Sequence, residues 1–421
     1  MSFEALYEER RQEGALKGLR AKAWERFLQL GLPTKKSEVF KYLRLGALEK
    51  RSYGAAAFQE VAEEAVSEAL LPECRDSCFV FVNGLFRPEL SRTSALPKNL
   101  VALPLERACR TYGTFLNNHW TKMMEEEKDP FAALNGALHQ EGLFLYLPPK
   151  TAVEAPVQIL HLIHAGEEPM LLLPRLHLFA GKHSEMRLIA NEKVISGREF
   201  TCSQVMDFAI EEEGSVTLTQ IGFDSDPWHF AALRALMKRN SRFKCVAATD
   251  GGESRRHDYH LLLCGEGGEA ELDGVWMLAD RRECHTNILI DHQAPHCRSR
   301  QMFKGVLSGL SRSSFEGKIY VRQKAQQTDA FQLNNNLILS EGAQANSKPN
   351  LEIFADDVKA SHGATTGQLN DEELFYMRAR GFSEAQAKNL LIQGFCKEVI
   401  ERVELPTLQK ALMERAEEYV V

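Results

Sequence analysis

The side chains able to bind metal or carry out acid–base chemistry fall in two places. His285, His292, His296 and Cys297 lie within thirteen residues. Imidazoles and a thiol of this kind can hold a transition metal, but the spacing matches no common zinc pattern. The second place is a single histidine, His362, followed by Gly363 in the stretch Lys348–Gly367. A lone imidazole has two uses, as a turn residue bonded to a backbone carbonyl or as a neutral ligand. Nine cysteines complete the set, an odd number with no Cys-x-x-Cys. Cys202, Cys245 and Cys264 sit in strand-like stretches, where Cys packs as a small hydrophobe. Cys74 and Cys78 are four apart in a loop-like region. All nine, Cys297 and Cys396 included, read as reduced structural thiols.

Other chemistries lack their residues. No Gly-x-x-x-x-Gly-Lys-Ser/Thr and no Gly-x-Gly-x-x-Gly after a strand is present, so ATP hydrolysis is not expected. Gly309-Leu310-Ser311-Arg312 is no nucleophile elbow, and Ser361 and His362 are adjacent rather than an activated pair.

With 421 residues the chain can hold two to four domains and a sizeable core. The apolar and charged fractions, 44% and 26%, are those of a globular protein. A net charge of −7 predicts no general attraction to nucleic acid or an anionic membrane. The acidic N-terminus has no apolar h-region and reads as neither signal nor transit peptide, so the expected location is cytoplasmic.

The elements that must position these residues change twice along the chain. Residues 1–140 read as a helical domain with a short hairpin. Leu16, Leu19, Ala23, Phe27 and Leu30 follow the helical period, and Gly31 and Pro33 end it. A second amphipathic piece follows around Phe40, and residues 55–70 read as helical. Cys78–Leu90 alternates and carries the turn signal Asn83-Gly84. Arg107–Glu127 and Pro130–Leu138 are helical, with Asp129 as N-cap and Pro130 at N1. Residues 141–362 are a run of short strands between Gly-, Asp- and Glu-rich turns, compatible with sandwich, barrel or β-helix. No strict repeat chooses among them. Apolar pairs at 319/321, 337–339 and 351/353 recur at coil-like spacing. Leu351 and Ile353 alternate with Glu352 and Phe354 as in a strand, whereas Asp356-Asp357 and Ser361-His362-Gly363 read as turns. Residues 363–421 are helical. Asn370 with Glu373 and Ser383 with Gln386 are capping boxes. Ala387, Leu390, Leu391, Gly394, Phe395 and Val399 line one helical face, and Pro406 opens a last helix.

Several of these segments resemble the SufB/SufD family of iron–sulfur cluster assembly scaffolds. Ser361-His362-Gly363-Ala364-Thr365 is similar to the family's SHGAT motif, and Gly31-Leu32-Pro33-Thr34 to its N-terminal GLPT element. Further matching blocks are His292–Gly305, Phe315–Ile319, Ala325–Thr328, Asn336–Ser340, Lys348–Ile353 and Phe375–Gly381. The resemblance implies a mainly β fold, a right-handed parallel β-helix core flanked by N- and C-terminal helical domains. Within the family the chain is similar to the SufD-like branch. Where the SufB-like branch has a cysteine, this chain has Asn334, and where it has Glu after the motif histidine, this chain has Gly363. Ala360 replaces a cysteine frequent in SufD-like chains.

The resemblance implies a non-catalytic scaffold subunit. It would pair through the end of the β-helix with a SufB-like subunit, and through its C-terminal helices with the ABC-type ATPase SufC. Ser383, Leu391, Phe395 and Val399 are the candidate partner-binding residues, and the C-terminal helices read as separable from the strands. His362 is the candidate metal ligand, toward a transient iron–sulfur cluster shared with the partner subunit. His285, His292, His296 and Cys297 then become parts of one coil and its turns. Alone, the chain could form a homodimer. The alternative is a metal-free, homo-oligomeric β-helix scaffold. A polysaccharide lyase or hydrolase, another use of the β-helix, lacks the expected secretion signal.

Overall fold

From Leu143 to Gly367 the chain is almost entirely strand and tight turn. The structure, a computed structural model, describes residues 2–419 apart from 13, 35–36, 44, 55–58, 167, 198 and 225–227. The strands alternate between two ten-stranded sheets and form a parallel β-solenoid of about eight turns. Each coil contributes one strand to each sheet. In one sheet Arg255 pairs with Cys284, Cys284 with Ser313 and Ser313 with Ala345. The repeat is therefore 29 residues twice and then 32, so no fixed period shows in the sequence.

Alternate residues of each strand point into the solenoid and pack there. Leu261, Leu263, Ile288, Ile290, Phe303 and Phe315 belong to that interior core. The opposite faces are apolar as well, because helices cover both sheets. The N-terminal helices bury Trp228 and Phe230 under Phe131, Trp120 and Leu134. The C-terminal helices bury Val246, Val275, Met277, Met302 and Val306 under Ile392, Cys396, Val399 and Val403. Strands buried on two faces lose the simple apolar–polar alternation. The coils turn through stacked corners whose residues have positive φ: Asn240, Gly267, His296 and Gln327. Each donates its backbone N–H to a carbonyl of the following coil, as His296 does to Gln326.

Several expected elements differ in detail. The first 30 residues form two helices, Phe3–Arg10 and Lys17–Leu30, and the piece at Phe40 is a single 3-10 turn, Glu38–Phe40. In the 55–70 region the helix is Glu63–Ala69, and positions 55–58 lie outside the described residues. Residues 107–127 are split into Leu105–Thr111 and Gly113–Glu126 at Tyr112, which has a non-helical backbone. Asp129 caps Pro130–Leu138 as expected, accepting from Phe131 N–H at 2.8 Å. The hairpin Cys78–Val82/Leu85–Arg92 does not stand apart, since its first strand pairs in parallel with Val157–His164. Ser361-His362-Gly363 is a strand, not a turn. It lies inside Val358–Gly367, which pairs along its length with Thr328–Ile338 and carries the solenoid beyond residue 362.

Candidate functional site

Among the described residues, the two strands of the last coil each have only one neighbour. Gln344–Ile353 pairs with Arg312–Val321, and Val358–Gly367 pairs with Thr328–Ile338. Their other edges present unpaired backbone groups, the arrangement that invites another strand. No helix of the described residues covers them, and most of Val358–Gly367 is exposed. Pro349 lies within the first of these edge strands, a position proline tolerates only where no ladder donor is required. Ile353 and Phe354 are exposed at its end, Phe354 resting on Tyr320.

His362 sits in the middle of the other edge. Its backbone is in register with Gln332, so both side chains leave the sheet on the same face, toward the solenoid interior. His362 is exposed at the open mouth of that interior, and its ring has no hydrogen-bond partner among the described residues. Gly363 is on the other face, where a Cβ would come 3.1 Å from Leu333 Cδ1. Ala360 is half-buried among Ile319, Val321 and Ala330.

Asn334 is inside the solenoid. It is fully buried, donates to Phe303 O at 3.2 Å and accepts from Asn336 Nδ2 at 2.8 Å. Its amide therefore completes an internal hydrogen-bond set.

The four clustered candidates do not converge. His285 is buried on the outer face of its sheet, 2.8 Å from Ser314 Oγ and 3.2 Å from Glu283 Oε2. His292 is buried against Ser299 Oγ at 2.9 Å, and burial lowers its pKa to about 4. His296 is the exposed corner residue described above. Cys297 is buried, and burial raises its thiol to about 11, with backbone N–H groups opposing. Burial likewise raises Cys284 and Cys396 to about 12. Thiols held protonated are poor iron ligands. Among the described residues no three His, Cys, Asp or Glu side chains are grouped to hold a metal ion.

The C-terminal candidates divide by exposure. Ser383 is exposed and forms the expected capping box with Gln386. Leu391 and Phe395 are half-buried, Phe395 beneath Lys304 Nζ at 4.9 Å. Val399 is fully buried against the solenoid and offers no surface to a partner. The exposed apolar residues lie one element earlier. Asp371–Ala379 buries none of its residues, and Phe375, Tyr376, Phe382 and Leu390 are exposed around its end. Their pattern in the sequence was masked by neighbouring acidic residues and Gly381, which hide any helical stripe.

The protein is a two-sheet β-solenoid, helix-covered on both flanks, whose last coil has no further strand paired to it among the described residues. Two family models match it: the SufBD core domain of the SUF system for FeS cluster assembly over residues 161–395, and the SufBD protein N-terminal region over residues 3–159. The chain belongs to the SufBD family. It is 30% identical over 394 residues to an iron–sulfur cluster assembly SufBD family protein of Synechocystis, covering 91% of this chain and 86% of that one. It is 28% identical over 399 residues to the iron–sulfur cluster assembly protein SufD of Escherichia coli, covering 93% and 90%. A chloroplastic protein of Arabidopsis thaliana, ABCI7, matches at 26% over 408 residues, covering 92% and 82%. No helix among the described residues is long and apolar enough to cross a membrane.

Proposed function

We propose that this protein is a non-catalytic, SufD-like subunit of an iron–sulfur assembly scaffold in the cytoplasm, and that its open last coil receives a SufB-like subunit. The observation that carries this reading is the unpartnered histidine on an unpaired strand edge. His362 is the one metal-binding side chain of its strand, and a single imidazole cannot hold iron by itself. A nascent cluster at this edge needs thiolates or carboxylates from a second chain, and strand pairing across the edge would bring them.

The C-terminal helices are the proposed contact for the SufC ATPase. Their exposed residues Phe375, Tyr376, Phe382 and Leu390 are better placed for it than Val399. The test is assembly of the three-component complex with His362→Ala under anaerobic conditions. Complex formation is followed by size exclusion, and cluster content by absorbance and iron assay. Normal complex with lost cluster is expected. A normal cluster in His362→Ala would end the ligand reading of this residue.

A further inference from the structure

Behind His362 the solenoid interior holds a short ladder of side-chain amides. Gln301 and Gln332 are fully buried and in register on adjacent coils. Gln332 Nε2 donates to Gln301 Oε1 at 3.0 Å. Gln332 reaches across to the opposite sheet, where Gly317 makes room for it; a Cβ at that position would collide with the amide. That donation leaves Gln332 Oε1, and Gln301 Nε2 as well, buried and without a partner among the described residues. The next position up the ladder is His362. A buried carbonyl oxygen lacking a donor is costly, and the nearest rung carries an imidazole with no bond of its own.

We propose that Gln332 is a positioning residue for His362: its side-chain carbonyl accepts one ring N–H and leaves the other ring nitrogen bare at the solenoid mouth. Registered residues on neighbouring strands are about 4.8 Å apart. Rotation of the exposed His362 side chain between staggered rotamers can therefore bring ring and amide together. A ligating histidine works best when its second nitrogen donates to a fixed acceptor, which sets the tautomer and orients the lone pair. The position that is a plain core residue elsewhere in the solenoid thus has a directional role in the last two coils. The inference rests on the reading of His362 as a ligand, yet the contact can be measured without any cluster.

The experiment uses the full-length chain labelled with 15N-histidine, with His362 identified by its loss in His362→Asn. Ring-nitrogen shifts distinguish N–H from bare nitrogen. A single dominant tautomer is expected in the unsubstituted protein. Gln332→Met, of similar length but without a carbonyl, should release it to the mixture of a free imidazole, and Gln332→Glu should restore it. In the assembled complex Gln332→Met should retain about tenfold less iron. A free-imidazole mixture in the unsubstituted chain would overturn the contact, whether or not Gln332→Met folds. A locked tautomer alongside full cluster content in His362→Ala would instead keep the contact and remove the ligand role beneath it.

Discussion

The middle of the solenoid and its last coil share strand geometry and register but differ in what touches them. Around Phe303 both faces are filled: Phe315 and Trp276 pack against it inside, and helix Glu384–Ile400 covers the outer side of its strand. Polar groups there bond internally, as His292 Nε2 does with Ser299 and Asn334 with Phe303 O. In the last coil the same kind of backbone leaves His362, Ile353 and Phe354 in solvent. Identical residue types therefore do different work. A covered histidine holds the fold, and the ring of the uncovered one makes no hydrogen bond among the described residues.

The largest expected effect comes from stripping the cover. Truncation after Gly367 removes the helices over Val246, Val275, Met302 and Val306. At about 1.5–3 kcal/mol for each large side chain returned to water, the loss is on the order of 10 kcal/mol, comparable to the stability of a whole domain. The shortened chain is expected to aggregate or unfold, as read by circular dichroism and size exclusion. Against the expectation from sequence that the helices are separable, their packing on the solenoid predicts that they are not. A soluble, cooperatively folding product would break the comparison at its root.

Single residues should rank the same way. Phe303→Ala is expected to cost about 3–5 kcal/mol in denaturant unfolding. Phe354→Ala, at 57% exposure, should change stability by less than about 0.5 kcal/mol. Equal losses would mean that the last coil is as closely packed as the middle.

A third test uses pH. Asp129, Glu127 and Asp258 share a buried cluster with Arg234 and Arg256, where the N-terminal helices meet the solenoid. Burial, and then the Asp258 carboxylate, raise Asp129 from 3.8 to about 7. A carboxyl whose folded pKa is raised binds a proton that the unfolded chain has released. Stability from this group is thus present below about pH 4 and lost as pH climbs to about 7. Asp129→Asn keeps the helix cap. It should match the unsubstituted protein at about pH 4 and exceed it by about 1–3 kcal/mol at about pH 8. A constant difference across that range would refute the buried-proton account.

The smallest stability effect should accompany the largest functional one. His292→Ala removes a buried ring and its bond to Ser299, and is expected to cost about 2–3 kcal/mol. His362→Ala should cost less than about 0.5 kcal/mol while abolishing cluster content in the assembled complex. Thermal unfolding of the two variants, measured beside iron content, sharpens the contrast between covered and uncovered coils.

Much of the local chemistry was legible in the residues. Asp129-Pro130 and Ser383 with Gln386 mark their helix starts because caps act within one turn of chain. The family motifs place His362, and the alternation of Leu351 to Phe354 marks the neighbouring strand of the same coil. Ser361-His362-Gly363 reads as a turn because small polar residues and glycine serve both turns and an edge strand whose faces are not packed. The resemblance puts His296 in a coil or its turn, but not its positive φ, which is rare outside glycine and is imposed there by the column of coil corners.

The sequence by itself determined where elements begin and end, which segments are apolar, and that His362 is followed by Gly363 instead of a second ligand. Those properties depend on neighbours within a few residues. Only the tertiary structure decided that Gln332 lies beneath His362, that Asn334 is sealed inside, that Val399 is buried while Phe375 is not, and that the last coil lies uncovered among the described residues. Each of these depends on groups some thirty or more residues apart, joined by coils of 29 to 32 residues. Because that length varies, no period in the sequence reveals which side chains come to lie on adjacent rungs.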